Sequence, residues 1–237
     1  MFDRRQFLTR AAAGLAALAP VRVLAADKIT PDAQSALVVV DVQNCFLPGG
    51  SLAVKDGEKV IPVINRLAKA FPNVVMTQDW HTPGHISFAS SHPGKKPFDV
   101  ILLPYGDQVL WPDHCVQGTD GAALSKDLNV PNAQLVVRKG FHPDVDSYSA
   151  LLEADKKTYT GLTGYLKERG IKRLFVTGLA TDFCVAWTAI DARMAGFEVY
   201  VVDDACRGID AQGSLMKSWD AMTKAGVKKI QSDAIAA

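Results

Sequence analysis

The chain has 237 residues, 48% of them apolar, and its 26 basic and 25 acidic side chains leave a formal charge of +1. A balance this even, with both signs scattered and no charged tail, excludes a polyanion footprint and with it nucleic acid as a partner. Four cysteines are too few and too dispersed for a disulfide scaffold, although a Cys45–Cys115 bridge stays open.

At the amino terminus Arg4-Arg5-Gln6-Phe7-Leu8 runs into AAAGLAALAPVRVLAA. An arginine pair, a short apolar run and a small-residue end, in that order, mark a twin-arginine export signal. We expect residues 1–26 to be that signal, cut near Ala25 or Ala26, with a bacterial periplasmic destination and residues 27–237 as one domain. The alternative is a cytoplasmic protein with an amino-terminal extension. Pro20 and Arg22 interrupt the apolar run, which falls short of the about 20 residues a membrane helix needs, so no stable membrane association is expected.

Residues 36–42 open on the apolar run ALVVV and read as a strand buried on both faces. An amphipathic helix over 57–70 ends at Phe71-Pro72, and strands follow over 73–78 and 133–138. Between these, residues 80–132 lose periodicity and are rich in Pro, Gly, His, Ser and Asp; so long a connection inside one domain is expected to be functional. The carboxyl half repeats one pattern three times, an amphipathic stretch, a glycine and a strand: LKERG-IK-RLFVTG, DARMAG-F-EVYVVDD and AMTKAG-V-KKIQS. Gly170, Gly196 and Gly226 are placed to end helices in the left-handed conformation. The expected fold is α/β, a single-domain, doubly wound, Rossmann-like sheet of about six mostly parallel strands with helices on both faces.

Ligands of such sheets gather outside the carboxyl ends of the strands. There the chain puts Asp41 after ALVVV, Asp79-Trp80-His81 after NVVMTQ, Lys139 after AQLVVR, and Cys184 shortly after RLFVTG. Cys184 falls in the first turn of a helix starting near residue 182, capped by Thr181 or Asp182. The dipole and free N–H groups there favour a thiolate, a nearby lysine adds to that, and the same N–H groups can hold an oxyanion. Taken singly, Asp41 reads as a cap and Lys139 as a snorkelling lysine. Together with a cysteine they point to acid, base and nucleophile meeting from three strand ends. Asp79 and His81, two apart in extended chain, present two ligand groups on one side, and His114 or His85 offers a third. Two histidines and a carboxylate suit a divalent metal with open positions.

The stretches VVVDVQNCFLPGGSLAV, TQDWHTPGHISFASSH, WPDHCVQGTDGA, VRKGFHPDVDSYSAL and VTGLATDFCVAWTAIDA span residues 36 to about 205. They resemble the nicotinamidase (pyrazinamidase) family of the isochorismatase-like cysteine hydrolase superfamily. The resemblance implies hydrolysis of nicotinamide, and of pyrazinamide, to the acid and ammonia through a thioester. Cys184 would be the nucleophile, Asp41 the proton acceptor and donor, and Lys139 the group in charge balance with both. The N–H groups of Ala180 and Cys184 would form the oxyanion hole beyond a cis Leu179–Ala180 peptide. Phe46, Leu52, Trp111, Tyr148 and Phe183 would enclose the pyridine ring. Asp79, His81 and His114 would hold the metal, with His85 or Ser87 as a fourth donor; zinc is expected, and iron or manganese suits the same donors. Cys45 stands where many relatives carry an aspartate in a QNDF segment.

The implied partner is a small-molecule substrate, and monomer or homo-oligomer stays open. Two other readings also stay open. A ureido or carbamoyl amide hydrolase of the same superfamily is opposed by DWH with WPDHC, and a non-catalytic periplasmic metal- or pyridine-binding protein has no need of Asp41, Lys139 and Cys184 together.

Overall fold

The computed structural model describes residues 28–237, so the expected signal over residues 1–26 and its cleavage site lie outside the described residues. The strands are β1 (Ser35–Val40), β2 (Asn73–Asp79), β3 (Val100–Leu103), β4 (Gly106–Val109), β5 (Leu135–Lys139), β6 (Arg173–Leu179), β7 (Glu198–Arg207) and β8 (Lys228–Ile230). The helices are α1 (Val60–Ala68), α2 (Leu162–Glu168), α3 (Ala186–Met194) and α4 (Ser214–Lys224). Six strands form one sheet in the order β5-β2-β1-β6-β7-β8, and every neighbouring pair is parallel. This is the doubly wound α/β sheet that the alternation of apolar runs and amphipathic stretches demands.

Strand β1 is central and wholly buried. Its period of two divides one apolar run between two cores. Leu37 and Val39 pack in the layer that holds Val60, Ile61, Ile64 and Leu67 of α1. Ala36, Val38 and Val40 pack in the layer that holds Leu162 and Leu166 of α2 and the alanine face of α3, Ala186, Ala189 and Ala192. Those alanines let α3 lie close on the sheet. Gly170, Gly196 and Gly226 follow the last turns of α2, α3 and α4 with φ of 70°, 95° and 81°, as expected of helix-ending glycines.

The structure departs from expectation in three places. The helix expected over 57–70 begins as a 3-10 turn over Gly57–Lys59 before α1. The irregular stretch contains an antiparallel hairpin, β3 with β4, that the sequence did not announce; it buries little, Leu102 being 79% exposed, so no buried face imprints a period on it. The chain after β6 enters a π turn over Thr181–Val185, and neither Thr181 nor Asp182 caps it; Ala180 occupies the cap position. Among the described residues no helix is long and apolar enough to cross a membrane.

Cys45 and Cys115 are bridged, while Cys184 and Cys206 are free and buried. The bridge ties the short turn Asn44–Phe46 to the irregular stretch across a sequence separation of 70. A closed loop of that length restricts the unfolded chain by about 4 kcal/mol in the chain-entropy description. The oxidised protein, unfolded without reductant, is therefore expected to titrate two thiols, and four after reduction. Cys45→Ser is expected to lower the denaturant midpoint of oxidised protein, a difference that disappears when both proteins are measured in reductant.

Candidate active site

Adjacent strands β5, β2, β1 and β6 end at one edge of the sheet and bring Lys139, Asp79, Asp41 and Cys184 together. Asp79 and Lys139 are register partners, so their side chains leave neighbouring strands at one level. Asp41 follows β1 in a left-handed conformation, φ 49°, unusual for a residue other than glycine. Its backbone N–H donates to Thr77 Oγ1 at 3.1 Å, and that hydroxyl donates to Asp41 Oδ1 at 2.5 Å.

The Lys139 ammonium, fully buried, is the hub. Its N–H groups are directed at Asp79 Oδ1, at the Ser147 carbonyl at 2.9 Å and at Cys184 Sγ at 3.4 Å. An ammonium has three protons, so Asp41 Oδ2, 2.9 Å from Nζ, has the ion contact but no aligned hydrogen bond. Asp41 therefore keeps an acceptor lone pair, and its carboxylate lies within 4.8 Å of the thiol sulfur.

The electrostatics follow from burial and from two carboxylates facing one ammonium. Burial pushes the Asp41 carboxyl above its ordinary range, with Lys139 pulling the other way. Burial works against the Lys139 charge, but Asp41 and Asp79 outweigh it and hold the ammonium well above its usual range. Burial pushes the Cys184 thiol well up; Lys139 opposes this, and Asp79 and Asp41 reinforce it. The thiolate favoured by helix terminus and lysine alone is thus not the resting form here. The two carboxylates and the loss of solvent reverse it, and the thiol needs a base.

Asp79 Oδ2 faces the other way, 3.6 Å from His81 Nε2 and 3.7 Å from His114 Nε2. Lys139, against the cost of burial, holds this carboxyl well below its usual range, and the two histidines add to that. His81 Nδ1 bonds the Gly140 carbonyl at 3.0 Å, and His114 Nδ1 bonds the Pro112 carbonyl at 2.8 Å. A carbonyl can only accept, so both Nδ1 atoms carry a proton and both Nε2 atoms are turned toward the carboxylate. Nε2 is then the ring atom placed to meet a metal. Gly140 permits the arrangement: a Cβ there would lie 2.6 Å from His81 Cε1, and its φ is 70°. Three buried donors within 4.8 Å of one another, two imidazoles and a carboxylate, fit a divalent cation.

His85 shares His81 in a second buried group, with Asp146, whose donor atoms also lie within 4.8 Å of one another. Its Nε2 donates to the His142 carbonyl at 2.9 Å, and its Nδ1 pairs with Ser87 Oγ at 2.8 Å. A narrow pocket opens between the thiol and the three donors. Phe46, Leu52, Trp111, Tyr148 and Phe183 line it with Ala180, after the cis Leu179–Ala180 peptide. Trp111 meets Phe183 edge-on at 4.7 Å, and its Nε1 donates to the Tyr148 hydroxyl at 3.0 Å.

Asp146 and Ile209 also line the pocket, and sequence reasoning missed both. Asp146 is two residues before Tyr148 in VDSYSAL, a spacing that offered a signal; Ile209 comes from the loop after β7, where none existed. Gln43 was missed as well. Its side chain donates to the Asp79 and Ala122 carbonyls at 2.8 and 2.9 Å and accepts from Asp79 N at 2.8 Å, fixing the strand end that presents the carboxylate.

The isochorismatase domain family matches residues 35–234. A nicotinamidase of Acinetobacter baylyi is 60% identical over 197 residues, 83% of this chain and 92% of that protein. The structure of a nicotinamidase pyrazinamidase of Acinetobacter baumanii superposes with a TM-score of 0.85 at 62% identity, covering 85% of this chain and 98% of that one. A pyrazinamidase of Pyrococcus horikoshii in complex with zinc gives a TM-score of 0.69 at 35% identity, covering 84% of this chain and 99% of that one.

Removing the hub should expose its electrostatic role. In metal-free Lys139→Met, two buried carboxylates lose the ammonium they share, at an expected cost of about 3–5 kcal/mol at neutral pH. Without the ammonium both carboxyls titrate above their unfolded values. The penalty is then full above those raised values and fades as pH falls through them. Denaturant unfolding of both proteins at neutral and mildly acid pH checks this; a gap independent of pH would refute it.

Proposed function

We propose, from the premise that the chain belongs to the isochorismatase domain family, that it is an amidohydrolase converting nicotinamide to nicotinate and ammonia, and acting likewise on pyrazinamide. The observation that carries this reading is the single crevice in which Lys139 joins Asp41 and Cys184 on one side to Asp79 and its two histidines on the other. The nicotinamidases to which the chain is similar support the same substrate.

In the proposed mechanism Cys184 Sγ attacks the carboxamide carbon while its proton passes to the free lone pair of Asp41 Oδ2. Lys139 keeps that carboxylate and the sulfur in register and stabilises the charge moving between them. The oxyanion is received by the N–H groups of Ala180 and Cys184. The C–N bond then breaks as Asp41 returns the proton to the nitrogen, and ammonia leaves a thioester. Asp41 deprotonates a water, which attacks the thioester carbon; nicotinate departs, and the proton goes back to the thiolate. Trp111, Phe183 and Tyr148 hold the ring in plane, and orientation of this kind supplies much of the rate. A divalent ion held by Asp79, His81 and His114, zinc or else iron or manganese, would supply a Lewis-acid anchor for the ring nitrogen or a water next to it.

Ammonia release from nicotinamide by the purified mature chain is the test. Cys184→Ala is expected to lower turnover by about 10⁴-fold or more. Chelation followed by metal analysis is expected to remove activity with the ion, and metal restores it. An inactive, metal-loaded wild type would overturn the substrate assignment and favour ureido amides.

The arginine pair further supports export. Activity is expected in the periplasmic fraction of the native host, moving to the cytoplasm when Arg4 and Arg5 are both changed to Lys. Activity that is wholly cytoplasmic in the unaltered strain would refute export.

A further inference from the structure

Asp182 lies two residues before Cys184, is 3% exposed, and has no part in the chemistry above. Its carboxylate accepts from Ile209 N at 2.9 Å, from Asp210 N at 2.8 Å and from the Ser214 hydroxyl. Its own carbonyl accepts from Ser218 Oγ at 2.8 Å. One residue of the turn that carries the sulfur thus fastens the loop after β7 and the first turns of α4. The loop presses so closely that a Cβ at Gly208 would lie 2.8 Å from Leu215 Cδ1 and 3.1 Å from Asp182 Oδ1. Asp210 and Gln212 are held left-handed, φ 56° and 52°, and no residue from Gly208 to Gly213 is buried, so the loop has little apolar anchorage of its own. Ile209, which this loop carries, is a wall of the substrate pocket.

We propose that Asp182 is a positioning residue that determines specificity: by fixing Ile209 against the turn of Cys184, it sets the clearance for a flat, unsubstituted heteroaromatic carboxamide. This rests on the amidohydrolase reading for its substrate class. A carboxylate suits the task because two backbone N–H groups need an acceptor on each oxygen. Asparagine would turn an NH₂ toward one of them, freeing Ile209 or Asp210.

The test pairs kinetics with a readout independent of turnover. For Asp182→Asn, KM for nicotinamide is expected to rise about tenfold with kcat falling less than about threefold, and the preference over a ring-methylated nicotinamide to shrink by a similar factor. Ile209→Ala removes the wall without touching the clamp and should reproduce the loss of preference. Independently, Cys184 alkylation by iodoacetamide and by the bulkier N-benzylmaleimide is timed, with the modified peptide identified by mass. The bulky reagent is expected to gain about tenfold over the small one in Asp182→Asn, and less in Ser214→Ala, which keeps both backbone bonds. A fall in kcat at constant KM with an unchanged reagent ratio would overturn the proposal, as would no change in either. If wild type does not hydrolyse nicotinamide, the substrate reading fails and the alkylation ratio still decides the clamp. If Asp182→Asn does not fold, Ser214→Ala and Ile209→Ala decide it.

Discussion

A buried ammonium with three protons and four claimants governs this site. Lys139 has no exposed surface, so water cannot solvate it, and Asp41, Asp79, Ser147 and Cys184 must do so. With its protons directed at Asp79, Ser147 and Cys184, the ammonium meets Asp41 Oδ2 as an ion contact at 2.9 Å. That leaves one carboxylate oxygen next to the thiol with acceptor capacity, and Thr77 holds the other oxygen.

The same inventory bears on the Cys184 thiol. A helix terminus and a lysine suggest a ready thiolate, but that argument omits the charges on the far side. Burial and the carboxylates of Asp79 and Asp41 oppose the thiolate, with only Lys139 in its favour. A thiol held up in this way needs a neighbouring acceptor to lose its proton, and Asp41 is the carboxylate within reach.

Strand ends were legible in the sequence because a buried parallel strand is a run of Val, Ile and Leu, and the polar residue that ends it is conspicuous. Asp41, Asp79, Lys139 and the Gly178 that leads to Cys184 all follow such runs. The metal-type donors were legible for a similar reason, because extended chain puts Asp79 and His81 on one side. The contacts that cross between segments were not. Nothing local ties Asp182 to Ile209, 27 positions on, or gives Asp79 its bond to Lys139, 60 positions on, in place of a role confined to the histidines. The hairpin β3–β4 escaped because it buries too little to leave a period.

Asp79 makes one device of two sites. Its Oδ1 is bonded to the lysine that touches the nucleophile, and its Oδ2 faces the two imidazoles that would hold an ion. Two carboxylates face one ammonium in the crevice, and the Gly140 and Pro112 carbonyls, by holding Nδ1, turn both Nε2 atoms toward Asp79. A divalent cation there, in drawing charge from Oδ2, would weaken the hold of Oδ1 on Lys139. The ammonium would then favour Asp41 and the sulfur, the pair that must exchange a proton. The three-donor group and the thiol are thus joined through a single carboxylate. Gln43 holds that carboxylate in place, because its three hydrogen bonds fix the strand end from which Asp79 projects.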